Sequence, residues 1–243
     1  MHWRLRKCFV RIYEIIGRRW GQLCGRELSY DLDIKVDNPV WLGWGECEWC
    51  VSANYLNKSS IVYSIGVGRD ISFDRDIIKE YGAEVYAFDP TPIAIQWLKT
   101  QSLPNQFHFV PKGLASYDGE AFFALPKNHN TSLSIIASGS VTDQDQVFKG
   151  EVCKLQTLMR ILGHTHIDVL KIDIEGAEYD VINDIVDNAG NITQLLIEFH
   201  HRMKIGYDLH HTSDAIERLR SAGFRIFSVS PRGFEYSFIR TDE

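Results

Sequence analysis

The chain has 243 residues, enough for one large domain with a substantial core. Apolar residues at 44% and charged residues at 24% are ordinary for a globular protein, and a net charge of −6 argues against nucleic acid as the main partner. The absence of a long apolar run, of a signal-peptide pattern and of an even cysteine count (there are five) sets the expectation of a cytoplasmic, reducing location with no transmembrane helix.

Residues 1–26 carry seven basic side chains (Arg4, Arg6, Lys7, Arg11, Arg18, Arg19, Arg26) against one acid, Glu14. That segment is +6; the other 19 basic and 31 acidic residues leave −12. Apolar groups from Trp3 to Ile16 interleave with the arginines at helical spacing, and Gly17 and Gly21 weaken the helix end. The first reading is a helix docked on the domain with its arginines in water; weak contact with a membrane surface is the second. Residues 1–40 are set apart as a basic, partly helical extension, and 41–243 as the main domain.

Trp41 to Cys50 reads WLGWGECEWC. Its C-x-x-C pair lacks the further ligands that zinc requires and the strand-to-helix context of a redox motif. These residues are expected to cover the sheet or roof a ligand pocket.

Ile61 to Pro92 is the most informative stretch. An apolar run (Ile61 to Ile65) ends in Gly66-Val67-Gly68, a helical segment closes at Gly82, and a second apolar run (Val85 to Phe88) stops at Asp89. Strand, glycine turn, helix, strand and acid is the layout of a nucleotide-binding βαβ half. The turn lets backbone approach a ligand, the helix N-terminus offers free N–H groups, and Asp89 is placed to bind ribose hydroxyls. A dinucleotide fingerprint wants a third glycine where Ile71 stands, so S-adenosylmethionine fits at least as well as NAD.

Thr91 and Pro92 open a helix, followed by a third strand at Phe107 to Val110 and then Pro111 to Ala115. Tyr117 to Glu120 is a turn feeding an antiparallel excursion at 121–124. Residues 126–146 are polar and irregular and are read as a substrate-side lid. Leu155 to Leu162 is a helix stopped by Gly163. Ile167 to Tyr179 (IDVLKIDIEGAEY) is a buried strand with charged residues at its end, Lys171, Asp173 and Glu175 sharing one side by alternation. Such charges meet a ligand or each other. A strand over 194–199 ends in His200-His201-Arg202, and two further strands around Pro231-Arg232-Gly233 form a terminal hairpin.

Four motifs, SIGVGRDISFD (64–74), YAFDPTP (86–92), DVLKIDIEGAEYDVI (168–182) and IEFHHR (197–202), resemble the FkbM-type methyltransferases, in the branch of the animal methyltransferase-like proteins. The resemblance covers residues 40–240. It implies an α/β class I (Rossmann-like) fold with a mostly parallel seven-stranded sheet and a C-terminal antiparallel hairpin. It also implies methyl transfer from S-adenosylmethionine, usually to a hydroxyl on a small-molecule or glycan-like acceptor. Gly66 and Gly68 correspond to the cofactor turn, Asp89 to the ribose acid and Asp173 to the polar residue facing methionine or substrate. Ser64, Asp70, Gly113 and Leu114 are placed with them at the cofactor. Ser64 stands where the glycine motif often has an acid, so Asp70 or Asp173 is expected to meet the methionine amino group. Asp173, Glu175 and His200 are the candidate bases, His200 for its ordinary pKa near neutrality, and Lys171 an orienting cation. No metal is assigned; a metal-assisted variant on Asp173, Glu198 and His200 is the lesser alternative. An NAD-dependent oxidoreductase and a catalytically silent scaffold are the rival functions.

Overall fold

A computed structural model describes residues 14–125, 134–135, 146–202 and 206–241. Residues 14–23 are helical (α1), with Arg18 donating to the Ser230 carbonyl at 3.1 Å. Ile16, Trp20 and Leu23 stay exposed on this helix. The rest of the predicted 3–20 helix, and nearly all of the predicted lid at 126–146, lie outside the described residues. Among those described, no helix is long and apolar enough to cross a membrane.

A hairpin comes first, β1 (Pro39–Leu42) antiparallel to β2 (Trp49–Ser52). Then β3 (Ile61–Ile65), α2 (Ser72–Tyr81), β4 (Glu84–Phe88), α3 (Pro92–Leu98) and β5 (Phe107–Val110) form a βαβαβ half. A small second sheet follows from β6 (Gly113–Leu114), β7 (Gly119–Leu125), β8 (Ser134–Ile135) and β9 (Gln146–Cys153); β7 contains the predicted antiparallel excursion at 121–124 and pairs with β8 and β9, and it takes in Gly119 and Glu120 of the predicted turn. The chain returns through α4 (Leu155–Leu162), β10 (Ile167–Ile172), α5 (Glu178–Asp187), β11 (Ile192–Glu198) and α6 (Leu209–Ser221). It ends in β12 (Phe224–Val229) and β13 (Glu235–Arg240).

The main sheet has the order β12-β13-β11-β10-β3-β4-β5. It is parallel except at β13, which runs antiparallel to both β11 and β12. This is the seven-stranded class I arrangement with an antiparallel hairpin that the sequence predicts. The chain leaves β3 toward β5 in its first half and builds outward from β10 in its second. The strand order therefore reverses between β3 and β10, the place where open α/β sheets bind ligands.

Alternation along the strands sends side chains to two cores. Tyr63, Leu170, Leu195 and Phe238 pack with α4, α5 and α6 on one face, through Leu158, Ile182 and Ile216. Val62, Val85, Val169 and Leu196 pack on the other with Phe73 and Ile77 of α2, and with Leu42 and Trp49 of the hairpin. Residues on both sides of position 40 share in this packing: Leu28 and Tyr30 lie against the first core, and Ile34, Val36 and Trp41 against Cys50, Phe227 and Ile239. The predicted start of α3 is visible too: Thr91 accepts from Ala94 N–H at 3.3 Å with Pro92 in the first helical turn. Ahead of α2, Asp70 accepts from Ser72 N–H at 2.6 Å.

Candidate active site at the strand carboxyl ends

A cavity of about 470 Å³ opens at the carboxyl ends of β3, β4, β10 and β11. That size lies within the range of about 300–1,000 Å³ usual for small-ligand sites. Its walls include Gly66, Gly68, Asp70, Asp89, Gly113, Leu114, Lys171, Asp173, Glu175 and His200, so the fold gathers these predicted residues around one space. Cys47 joins the lining from the β1–β2 hairpin, Phe123 from the second sheet and Arg232 from the turn between β12 and β13.

Backbone proximity explains the glycine turn. Gly66 has φ +83°, and a Cβ built there would stand 1.7 Å from the Asp173 carbonyl oxygen. Only glycine lets the ends of β3 and β10 come this close. Gly66 N–H donates to the Phe88 carbonyl at 2.9 Å and Asp173 N–H to the Ile65 carbonyl at 3.1 Å, extending the ladders into the loops. Lys171, 5% exposed, donates from Nζ to the Gly66 carbonyl at 3.1 Å and lies 5.2 Å from the Trp49 ring centroid. It positions the glycine turn.

Asp89 is also tied to this turn. One carboxylate oxygen accepts from Gly68 N–H at 2.9 Å; the other accepts from Thr91 N–H at 2.9 Å and Thr91 Oγ1 at 2.6 Å. Burial pushes its carboxyl upward in pKa, and these donors oppose the shift. Ser64 differs from expectation. It sits inside β3, fully buried and outside the cavity, with its hydroxyl toward the buried Asp74. Alternation aims Ser64 at the α2 face, which removes it from the cofactor set. Asp74 itself reaches the cavity wall; its Oδ1 has no hydrogen-bond partner, and burial raises its pKa against the pull of Lys171.

The other end of the cavity is a chamber of carboxylates around one imidazole. The chain leaves β10 through Asp173 and Ile174, turns at Glu175 (φ +57°) and Gly176 (φ +105°), and enters α5 at Glu178. A left-handed conformation at a non-glycine residue costs about 1–2 kcal/mol, so something must hold it. Glu178, 0% exposed, does so. It accepts from Ile174 N–H at 3.0 Å and from Gly176 N–H at 3.0 and 3.2 Å. It also accepts from His200 Nδ1 at 2.9 Å. Nε2 of the same ring faces Glu175 Oε2 at 3.5 Å, Asp173 Oδ1 at 3.8 Å and Glu198 Oε1 at 3.9 Å. Arg232 donates to Glu198 at 3.2 Å and also pairs with Glu235.

Charge crowding sets the protonation here. Burial disfavours an imidazolium, but Glu178 first, then Asp173 and Glu198, outweigh it and raise His200 to about 10. Burial, with Asp173 and Glu235 adding, pushes Glu198 up to about 9 against His200 and Arg232. The ring thus carries its second proton at neutral pH, unlike the neutral base expected from the ordinary histidine pKa. Asp173 and Glu175 are the chamber's more open carboxylates, with side chains 23% and 26% exposed.

Cys47 and Cys50 are free thiols whose pKa burial raises, Cys47 to about 12. This is the wrong direction for a reactive thiolate. Three contributors escaped the sequence reading. Glu178 looks like an ordinary first-turn helix acid, though its place three residues after Glu175 hinted at a loop-closing role. Asp74 reads as a polar-face residue of α2, and Arg232 as a turn residue.

The FkbM methyltransferase domain matches residues 55–226, more than half of the chain. Human probable methyltransferase-like protein 24 is 25% identical over 184 residues, which are 74% of this chain and 44% of that protein. Its rat counterpart is 25% identical over 162 residues, 66% of this chain and 38% of that one. The chain thus spans less than half the length of these relatives. Among solved structures, a Methanococcus jannaschii fibrillarin pre-rRNA processing protein aligns at TM-score 0.47 and 15% identity over 77% of this chain and 69% of that one. Aeropyrum pernix fibrillarin, solved with S-adenosylmethionine, aligns at 0.43 and 11% over 77% and 68%. The close glycine turn, the acid after β4 and the backbone donors of a loop that lacks a phosphate-binding lysine suit a nucleoside carrying no phosphate. The chain belongs to the FkbM methyltransferase family, and its cofactor is S-adenosylmethionine.

Proposed function

We propose that this chain is an O-methyltransferase acting on a hydroxyl of a small-molecule or glycan-like acceptor. The observation that carries the reading is the chamber of Asp173, Glu175, Glu198 and His200 opening into the same cavity as the glycine turn. Gly66, Gly68, Asp70, Asp89, Gly113 and Leu114 are the residues that would hold the cofactor. Bound S-adenosylmethionine supplies a methyl group on a sulfonium, whose C–S electron pair stays with sulfur as the carbon is taken by an acceptor oxygen. This chain's part is to hold that oxygen in attack geometry and to receive its proton. Asp173 or Glu175 is the proton acceptor, and the imidazolium of His200 steadies both carboxylates. Crowded carboxylates repel a phosphodiester backbone, which favours a neutral or cationic acceptor over nucleic acid.

The test is calorimetric titration of S-adenosylmethionine, S-adenosylhomocysteine and NAD into wild type and Asp89→Ala, then a hydroxyl-acceptor screen with wild type and Asp173→Asn. We expect both sulfur cofactors to bind, NAD not to bind, Asp89→Ala to lose binding, and Asp173→Asn to keep binding but lose turnover. Folded wild type that binds neither sulfur cofactor overturns the reading and favours a binding scaffold; NAD binding with similar affinity favours an oxidoreductase.

A further inference from the structure

We infer that the chamber between β10 and β11 binds one divalent cation of the Mg²⁺/Mn²⁺ class through Asp173, Glu175 and His200. One ligand atom from each of these residues lies within 4.8 Å of the others. Nε2 of His200 stands 3.5 Å from Glu175 Oε2 and 3.8 Å from Asp173 Oδ1, inside the roughly 4.2 Å that two ligands of one Mg²⁺ can span at bonds of about 2.1 Å.

The second observation concerns His200. The residue is nine-tenths buried, yet Nε2 meets its three nearest carboxylates at 3.5–3.9 Å, longer than a hydrogen bond of good geometry. Nδ1 is engaged at 2.9 Å by Glu178, which is itself fully buried. A carboxylate can only accept, so Nδ1 carries a hydrogen, and a cation entering the chamber would displace the Nε2 proton and take up its lone pair. Metal-binding histidines are held by the same carboxylate–imidazole arrangement. Glu178 thus fixes the ring while Nε2 faces Asp173 and Glu175 across the chamber.

Ligand chemistry narrows the ion. Two carboxylates and one imidazole, with Glu198 adjacent, form a harder set than the Cys/His sets of structural zinc, and Mn²⁺ tolerates one nitrogen among oxygens. Three protein ligands leave about half of an octahedral shell open. That room suits an acceptor presenting two neighbouring oxygens, a vicinal diol or a catechol-like pair, one of which the cation would make easier to deprotonate. This last step rests on the methyl-transfer reading; the cation site does not.

The test is Mn²⁺ titrated into the metal-stripped full chain, with neither cofactor nor acceptor present, read by the electron paramagnetic resonance signal of free Mn²⁺. Wild type should take up one Mn²⁺ per chain with saturation. Glu175→Gln and His200→Gln should abolish uptake, and Glu178→Gln should weaken it by about 10–100-fold. The distant Asp33→Asn should change nothing. Circular dichroism reports folding, and Glu175, partly exposed, is the substitution least able to disturb it. No saturable uptake by folded wild type, or equal uptake by folded Glu175→Gln and His200→Gln, overturns the site. A parallel titration with S-adenosylhomocysteine separates the two ideas. Cofactor binding without Mn²⁺ uptake removes the cation alone, whereas Mn²⁺ uptake without cofactor binding upholds the cation and removes methyl transfer.

Discussion

Replacing Glu178 by glutamine tests whether one buried carboxylate holds the loop between β10 and α5. Its two oxygens serve three donors, the N–H groups of Ile174 and Gly176 and the Nδ1 of His200, at 2.9–3.2 Å. A hydrogen bond to a charged group contributes about 1.5–3 kcal/mol net, and a buried donor left unpaired costs about 1–3 kcal/mol. Glutamine keeps one acceptor oxygen and sets an amide NH₂ where the other stood, so at least one donor faces a donor. The charge opposite His200 is lost as well. The expected loss is about 3–5 kcal/mol, set against a total stability on the order of 5–15 kcal/mol. At about 2–4 °C per kcal/mol for a chain of this size, Tm should fall by about 6–20 °C. Thermal unfolding followed by circular dichroism, wild type and variant side by side, measures it. A variant within about 2 °C of wild type would refute the reasoning, because three donors cannot lose a charged acceptor at no cost.

The glycine turn supplies a paired prediction. Gly66→Ala places a Cβ 1.7 Å from a carbonyl oxygen and should destroy S-adenosylhomocysteine binding. Gly68→Ala meets nothing within 4 Å at φ +54° and should cost only about 1–2 kcal/mol; calorimetry giving equal effects would defeat the argument. Lys171→Met strips the buried Asp74 of its neighbouring cation and should cost about 3–5 kcal/mol by urea unfolding. Adding Asp74→Asn to Lys171→Met should recover at least about 0.5 kcal/mol, and strict additivity would show that the two do not interact. Asp33 bonds both nitrogens of the Arg220 fork and the Ile226 N–H. Burial alone would raise its pKa, but these partners hold it below the usual carboxylate range. A depressed folded-state pKa stabilises above the unfolded value of about 3.9 and stops doing so as pH falls through the folded value. Asp33→Asn should therefore be less stable than wild type at pH 7, with the gap closing below about pH 4; a gap unchanged at low pH would refute the linkage.

The features legible in the sequence are those with local causes. The 61–92 stretch announces itself because a glycine pair, a helical period and an acid lie within one βαβ unit, and the terminal hairpin shows in its Pro231-Arg232-Gly233 turn, whereas the β1–β2 hairpin goes unread. Residues governed by distant packing read poorly. The family's motif pattern puts Ser64 at the cofactor, where an acid often opens the glycine motif, but pleating turns it toward Asp74. His200 looked like a neutral base because nothing local reveals that Glu178 and Glu198, 22 and 2 residues before it, converge with Asp173 on its ring. Arg232 reaches the chamber only because β13 inserts beside β11, a pairing that no short window contains.

That insertion matters during synthesis. β13 lies between β11 and β12, so a strand made late occupies the sheet interior. Until residues 235–240 emerge from the ribosome, β11 has one unpaired edge, carrying Leu195, Leu196 and Ile197. At about 5–20 residues per second, the interval between finishing β11 and finishing β13 is about 2–8 s. For those seconds the nascent chain displays an apolar strand edge of the kind that recruits other strands. Its yield in a cell should therefore depend on what shelters that edge as well as on the stability of the finished domain.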